Sequence, residues 1–259
     1  MLNDQGSVFF EWTLRLIVFA VFLQTCELLQ LRQFWSDRGI YSKMYFNINS
    51  RTGKYFGNIL FNEKIFNFLL LLNLVLLATI FISGFSYLVI YPFVIACLVF
   101  IRFGGAFNGG SDYMTALVLS VCMLHSLFPN SLRVTQILMG YLCFQVILSY
   151  FIAGLVKIKN TSWRSGRAMQ DFFMKSNYAI PEFFKKFIKK PGVSFFAGWM
   201  VIAFECSFPI IFFYNGKFAL SYIGIALIFH LVNFHVLGLN RFVWAWLSTY
   251  PILYYFASA

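Results

Sequence analysis

The chain is 259 residues long, 60% hydrophobic and only 11% charged, with a mean hydropathy of +0.75. So few charges cannot cover a water-soluble surface, which excludes a soluble globular enzyme. The formal net charge of +11 would suggest nucleic acid as a partner in a soluble protein. Here the basic residues gather in the connections between apolar runs, a pattern of membrane orientation and anionic-lipid contact instead.

The expectation is an all-α, polytopic integral membrane bundle: about eight transmembrane helices in a single transmembrane domain over 1–259. In chain order the apolar runs are 8–32, 65–83, 86–101, 112–128, 132–156, 194–213, 217–238 and 242–257. The first has no basic leader and carries Asp4 and Glu11, so it reads as a span and not as a cleavable signal. Several runs fall short of the roughly 20 residues that cross a bilayer, which implies tilt or local thinning.

The connections 32–64 and 157–193 hold six and nine Lys/Arg, and 102–111 and 238–241 hold one each. The opposite face holds only Arg133 and Lys217, with Arg15 inside the first run. This asymmetry predicts cytoplasmic basic loops and both termini outside. Trp35, Trp163, Trp199, Trp244 and Trp246 map near the basic face and Trp12 near the other. The five cysteines (Cys26, Cys97, Cys122, Cys143 and Cys206) lie in apolar runs without a C-x-x-C pair. They read as small core residues, not as metal ligands.

Two connections have internal pattern. From Pro181, the residues Phe183, Phe184, Phe187 and Ile188 interleave with Lys185, Lys186, Lys189 and Lys190 until Pro191-Gly192 stops the run. On a helix this separates phenylalanines from ammonium groups, as in a helix lying in the interface against anionic lipid. A docking face for an acidic partner helix is the alternative. Met169, Phe172 and Phe173 suggest another interfacial turn, and 47–53 reads as a turn without assignable chemistry. Gly104-Gly105 with Gly109-Gly110 lacks the spacing and setting of a nucleotide loop.

Polar groups in hydrocarbon cost energy and are functional candidates. Toward the basic face lie Glu27, Asp112 at the opening of the fourth run, Lys157 at the close of the fifth, and His235. His230 and Asn233 are deeper and share a helical face, while His235 points elsewhere. Glu205 sits mid-run in the sixth span, and Glu11 and Arg15, four apart, neutralise each other. His125 lies near an outer helix end, where a solvated or interfacial histidine is expected. For His230 and Asn233 the plain alternative is helix packing through hydrogen bonds. For Lys157 it is a snorkelling anchor.

The segment Tyr150-Phe151-Ile152-Ala153-Gly154-Leu155-Val156-Lys157, followed by Trp163-Arg164-Ser165-Gly166, ends a long apolar run in small residues, a lysine and a tryptophan. This block resembles a signature of the vitamin K-dependent gamma-carboxylase-like family, the horizontally transferred transmembrane (HTTM) domain. Phe229-His230-x-x-Asn233, continuing through Leu237-Gly238-Leu239 to Phe242, is similar to a second signature of that family. The resemblance implies that Lys157 is the base that deprotonates a quinol such as vitamin K hydroquinone. A lysine at an apolar boundary loses hydration, its charged form is disfavoured, and the free amine becomes available. Lys157, His230 and Asn233 are then the candidate catalytic residues. Trp163, His235, Asp112 and Glu205 are candidates for cofactor contact.

The segment matching a functional histidine of the carboxylases reads Asn-Gly-Gly-Ser-Asp-Tyr here, without histidine. The soluble domain that follows in the carboxylases has no counterpart before Ala259, so carboxylation of a protein substrate by this chain alone is not expected. On span count, length and the missing domain, and not on a diagnostic motif, the chain resembles instead the short bacterial members with a Gly-Gly-x-Asp segment, of sporulation-delaying protein B type. That resemblance implies a bacterial cytoplasmic membrane, a small soluble partner and a secreted toxin or peptide precursor matured with its help. A non-enzymatic membrane scaffold or conduit is the alternative from a different class. A quinone-dependent epoxidase-carboxylase is the third.

Overall fold

The computed structural model describes residues 4–42, 60, 62–84, 86–105, 109–175, 180–213 and 216–258. Helices are the only regular structure among them. The turn read at 47–53 lies outside the described residues, as do Asn108 and most of the connection before 60.

The apolar runs become helices in the expected order: α1 (Asp4–Gln30), the single turn α2 (Arg32–Trp35) and α3 (Glu63–Ser83). A 3-10 turn, Tyr87–Val89, leads into α4 (Ile90–Phe103), followed by α5 (Gly110–Leu127) and α6 (Leu132–Lys159). Then come α7 (Thr161–Arg164), α8 (Arg167–Met174), α9 (Glu182–Ile188) and α10 (Pro191–Ser207), which runs into a 3-10 turn, Phe208–Phe212. The chain closes with α11 (Ala219–Leu237), α12 (Asn240–Leu247) and α13 (Tyr250–Ser258).

Among the described residues five helices are long and apolar enough to cross a membrane: Gly6–Gln30, Glu63–Ser83, Leu132–Lys159, Pro191–Phe212 and Ala219–Leu237. The expected run 86–101 is realised as a shorter apolar segment, Tyr87–Phe103. The expected continuous run 242–257 is not one helix. It breaks at Ser248 and Thr249 into α12 and α13. Pro251 explains the break, because it has no N–H to give the carbonyl four residues back and its ring crowds that position. Ser248 turns its hydroxyl onto the carbonyl of Ala245 at 2.7 Å and finishes α12.

The chain divides into two compact units. The first comprises 1–139 and 244–248, the second 140–243 and 249–259. In the first, α1 and α3 pack along their length. Asn73 donates to the Thr25 hydroxyl at 3.0 Å, Thr25 donates to the carbonyl of Val21, and Gln24 reaches Thr115 on α5 at 3.1 Å. Asn62 caps α3 by accepting from the amides of Lys64 and Ile65. The expected pair of Glu11 and Arg15 forms, at 3.1 Å. His125 is half-buried against the Phe10 ring, with its Nδ1 3.2 Å from the Thr135 hydroxyl.

Leu28, Trp35, Phe66 and Leu70 form a core at the other end of this unit, with Tyr41 and Phe103 against it. Arg102 is 1% exposed and donates to the carbonyls of Trp35 and Tyr41, its guanidinium 5.5 Å from the centre of the Phe66 ring. It therefore ties the segment after α2 to α4. Arg102→Met should strand both carbonyls and lower stability by about 3 kcal/mol. The check is the unfolding midpoint in detergent, together with faster proteolysis between Ser36 and Ser42.

Candidate functional site

The residues that carry chemistry in the second unit meet along α6. Tyr150 and Lys157 are seven apart, two turns of helix, so they share one face about 10 Å apart along the axis. The Lys157 ammonium lies 2.8 and 2.7 Å from the two carboxylate oxygens of Glu205 on α10. The Glu205 side chain is only 4% exposed and that of Lys157 18%. The Trp163 ring stands over the same ammonium, 5.1 Å from nitrogen to ring centre.

Small residues make this approach possible. A Cβ on Gly154 would lie 2.7 Å from the backbone nitrogen and sulfur of Cys206 and 3.1 Å from the carbonyl carbon of Glu205. Gly154 thus lets the backbones of α6 and α10 come together, about one turn before Lys157. Beyond the lysine, Asn160 caps α7 by accepting from Ser162 N–H at 2.9 Å, and the chain folds back over α10. Trp199 donates its indole N–H to the Arg164 carbonyl at 3.1 Å. The carbonyl of Trp163 sits 2.9 Å from where a Gly198 Cβ would be. Trp163 is held beside Lys157 by these contacts.

A second cluster lies one Tyr150-to-Lys157 step along α6. The Tyr150 hydroxyl is 2.7 Å from His230 Nε2 and 3.3 Å from the Tyr250 hydroxyl on α13. All three residues are buried. The Tyr150 ring stacks on Phe208 at 3.9 Å, and Phe204, next to Glu205, packs on its edge at 5.8 Å. Phe242 stacks loosely on His230, with ring centres 6.3 Å apart. The two clusters are therefore neighbours on one wall, joined by consecutive residues of α10 as well as by α6.

Of the sequence-derived candidates, Lys157, Glu205 and Trp163 come together, and His230 joins Tyr150 in the adjacent cluster. Asn233 is half-buried and His235 is exposed, and among the described residues the side chains of both stay outside the two clusters. Asp112 is buried in the first turn of α5, which belongs to the first unit. No group of three or more His, Cys, Asp or Glu residues suited to a metal occurs among the described residues.

Sequence reasoning passed over Tyr150 and Tyr250 and left Glu205 without its partner. The available signal for Tyr150 was its seven-residue offset from Lys157.

A model of the HTTM domain matches residues 117–257, more than half of the chain and all of both clusters. The chain belongs to the HTTM domain family. No curated protein and no solved structure matches it. Within the HTTM match fall α6 with Lys157, α10 with Glu205 and α11 with His230, while the Glu11–Arg15 pair of α1 lies before it.

Proposed function

We propose that this HTTM protein is a membrane-embedded maturation factor for a secreted peptide or toxin precursor, with Lys157 as its proton-handling group. One observation carries the reading: an amine within 2.7–2.8 Å of both oxygens of a nearly fully buried carboxylate. Ionisable residues inside membrane segments are functional by default, and this pair spans a proton-transfer distance. A proton moving from Lys157 to Glu205 frees the amine without placing net charge in the hydrocarbon. The free amine can then take a proton from a weakly acidic group on a lipophilic substrate.

Lys157 and Trp163 fit the head of a quinol, which is a flat ring bearing an acidic O–H. The amine accepts and the indole offers a flat apolar wall. Such a group, when bound, would supply the acidic hydrogen; holding the amine in place and excluding water fall to Glu205, Trp163 and the phenylalanines around Tyr150.

The wider reading is an eight-span bundle in a bacterial cytoplasmic membrane, related to sporulation-delaying protein B and more distantly to the gamma-carboxylases. Its basic loops face the cytoplasm and both termini lie outside. The helix Glu182–Ile188 rests on anionic lipid through Lys185, Lys186, Lys189 and Lys190, and a small soluble partner docks on the same face. The exposure of Phe183 and Phe187 on that helix supports the lipid contact.

A scaffold role is favoured by a separate observation, the tight Gly154 contact, since an ion pair beside it also fastens two helices. Lys157→Arg separates the two readings. A guanidinium keeps the charge and the carboxylate contact but does not deprotonate. General acid–base groups contribute about 10²–10⁴-fold, so Lys157→Arg should lower mature peptide at least about 100-fold per folded molecule. Normal output from a well-folded Lys157→Arg protein would leave the scaffold standing. Labelled carbon dioxide fixed into a glutamate-containing peptide with reduced vitamin K would instead assign the chain to the epoxidase-carboxylases.

A further inference from the structure

The first unit contains a cleft unrelated to Lys157. It has a volume of about 690 Å³ and is lined by Ser7, Val8, Glu11, Trp12 and Arg15 of α1 and by Phe81 near the end of α3. Trp12, Val8 and Phe81 are exposed large apolar side chains. In their midst stands an ion pair, with Arg15 Nε donating to Glu11 Oε1 at 3.1 Å and Arg15 Nη1 donating to the Phe81 carbonyl at 3.0 Å. Both charged side chains remain about one-third exposed, at 35% and 31%.

The pair lies five and nine residues inside the apolar segment that begins at Gly6, roughly 8 and 14 Å along the helix. Gly6–Gln30 is longer than the roughly 20 residues that cross a bilayer, and Trp12 between the two charges marks the interface, where a charge facing outward meets lipid head groups. Glu11 Oε2 and Arg15 Nη2 make no hydrogen bond among the described residues, which leaves a carboxylate oxygen and guanidinium N–H groups available to a further partner. The chain also leaves space for the carboxylate. Gly84, at φ 77°, has no side chain, and a Cβ there would come 2.6 Å from Glu11 Oε1.

We propose that this cleft binds the head group of a zwitterionic aminophospholipid. Its phosphodiester meets the remaining N–H groups of Arg15, its primary ammonium donates to Glu11 Oε2, and its glycerol and upper acyl chains lie against Trp12 and Phe81. The charge order of the pair matches that of the head group, phosphate to guanidinium and ammonium to carboxylate. Phosphatidylglycerol offers Arg15 a phosphate but Glu11 no cation, and a choline head group has no N–H for Glu11.

The test uses the full chain in nanodiscs holding equal parts of phosphatidylethanolamine, phosphatidylcholine and phosphatidylglycerol. The protein is then released into mild detergent and its retained lipids are counted by native mass spectrometry. Phosphatidylethanolamine should be retained about fivefold over phosphatidylcholine, the discrimination expected of one partly exposed charge pair. Glu11→Gln should abolish that preference while leaving total retention similar, and Arg15→Gln should lower retention of all three. If Arg15→Gln does not fold, Glu11→Gln decides alone. Equal retention of the two zwitterionic lipids by the unaltered chain overturns the proposal, as does a preference that survives Glu11→Gln. Retention of phosphatidylglycerol above phosphatidylethanolamine, or of a peptide in place of lipid, overturns it too.

Discussion

Lys157→Ala is expected to destabilise the folded protein by about 3–5 kcal/mol, because it leaves the Glu205 carboxylate buried with its charge uncompensated. The magnitude follows from the asymmetry of the pair. Glu205 is 4% exposed and Lys157 18%, so the carboxylate has far less recourse to water than the ammonium. Glu205→Gln should therefore cost less, since the remaining ammonium can turn toward the boundary and the amide still accepts a hydrogen bond. Replacing both residues by apolar ones of similar size, Lys157→Met with Glu205→Leu, should recover most of the loss, because neither charge is then left in hydrocarbon. Unfolding free energies of the unaltered chain, Lys157→Met, Glu205→Leu and the double replacement in one detergent form a cycle, and a coupling of at least about 2 kcal/mol is expected. Additive single costs would mean that the two groups do not share a proton or a charge in solution. The doubly apolar protein also serves the functional question. As a proton-handling site it should be stable and inactive; as a scaffold it should be stable and active.

Much of the helical order was legible because apolar runs of sufficient length, broken by Gly, Pro and basic residues, leave few alternatives in a membrane. Lys157 stood out for the same reason, as a cation at the end of such a run. Its partner did not. Glu205 lies 48 residues away, and the pairing depends on a close approach at Gly154 that periodicity does not report. Tyr150 is one of 14 tyrosines, so residue type could not single it out, and only the fold brings it to His230 and Tyr250. His230 and Asn233 illustrate the reverse. Their three-residue spacing placed them on one face, yet His230 is buried in the cluster while Asn233 is half-buried and outside it. Shared face is a statement about one helix, whereas burial depends on what packs against it. The break inside 242–257 was written in the chain at Pro251, but total hydropathy masked it.

Gly166→Ala should cost about 2–5 kcal/mol and should disturb the site without touching it. Two costs add at this position. Gly166 has φ 77°, where a side chain costs about 1–2 kcal/mol through its clash with the adjacent carbonyl. The added Cβ would also lie 2.5 Å from the backbone nitrogen of Phe195 and 2.6 Å from the carbonyl carbon of Ser194, atoms of α10 that cannot rotate away. Gly154→Ala meets Cys206 at 2.7 Å but carries no backbone strain, so its cost should stay within the about 1–3 kcal/mol typical of overpacking. The difference matters for Trp163. Relief of the clash at Gly166 requires the turn after α7 to lift from α10, which carries the indole away from the Lys157 ammonium while leaving the Glu205 contact in place. Gly154→Ala does the opposite, prising Glu205 from Lys157 and sparing Trp163. Tryptophan fluorescence in a background where Trp163 reports alone should therefore shift in Gly166→Ala and stay constant in Gly154→Ala. An equal shift in both, or a Gly166→Ala protein as stable as the unaltered chain, would mean that the turn after α7 is not seated on α10 by this glycine.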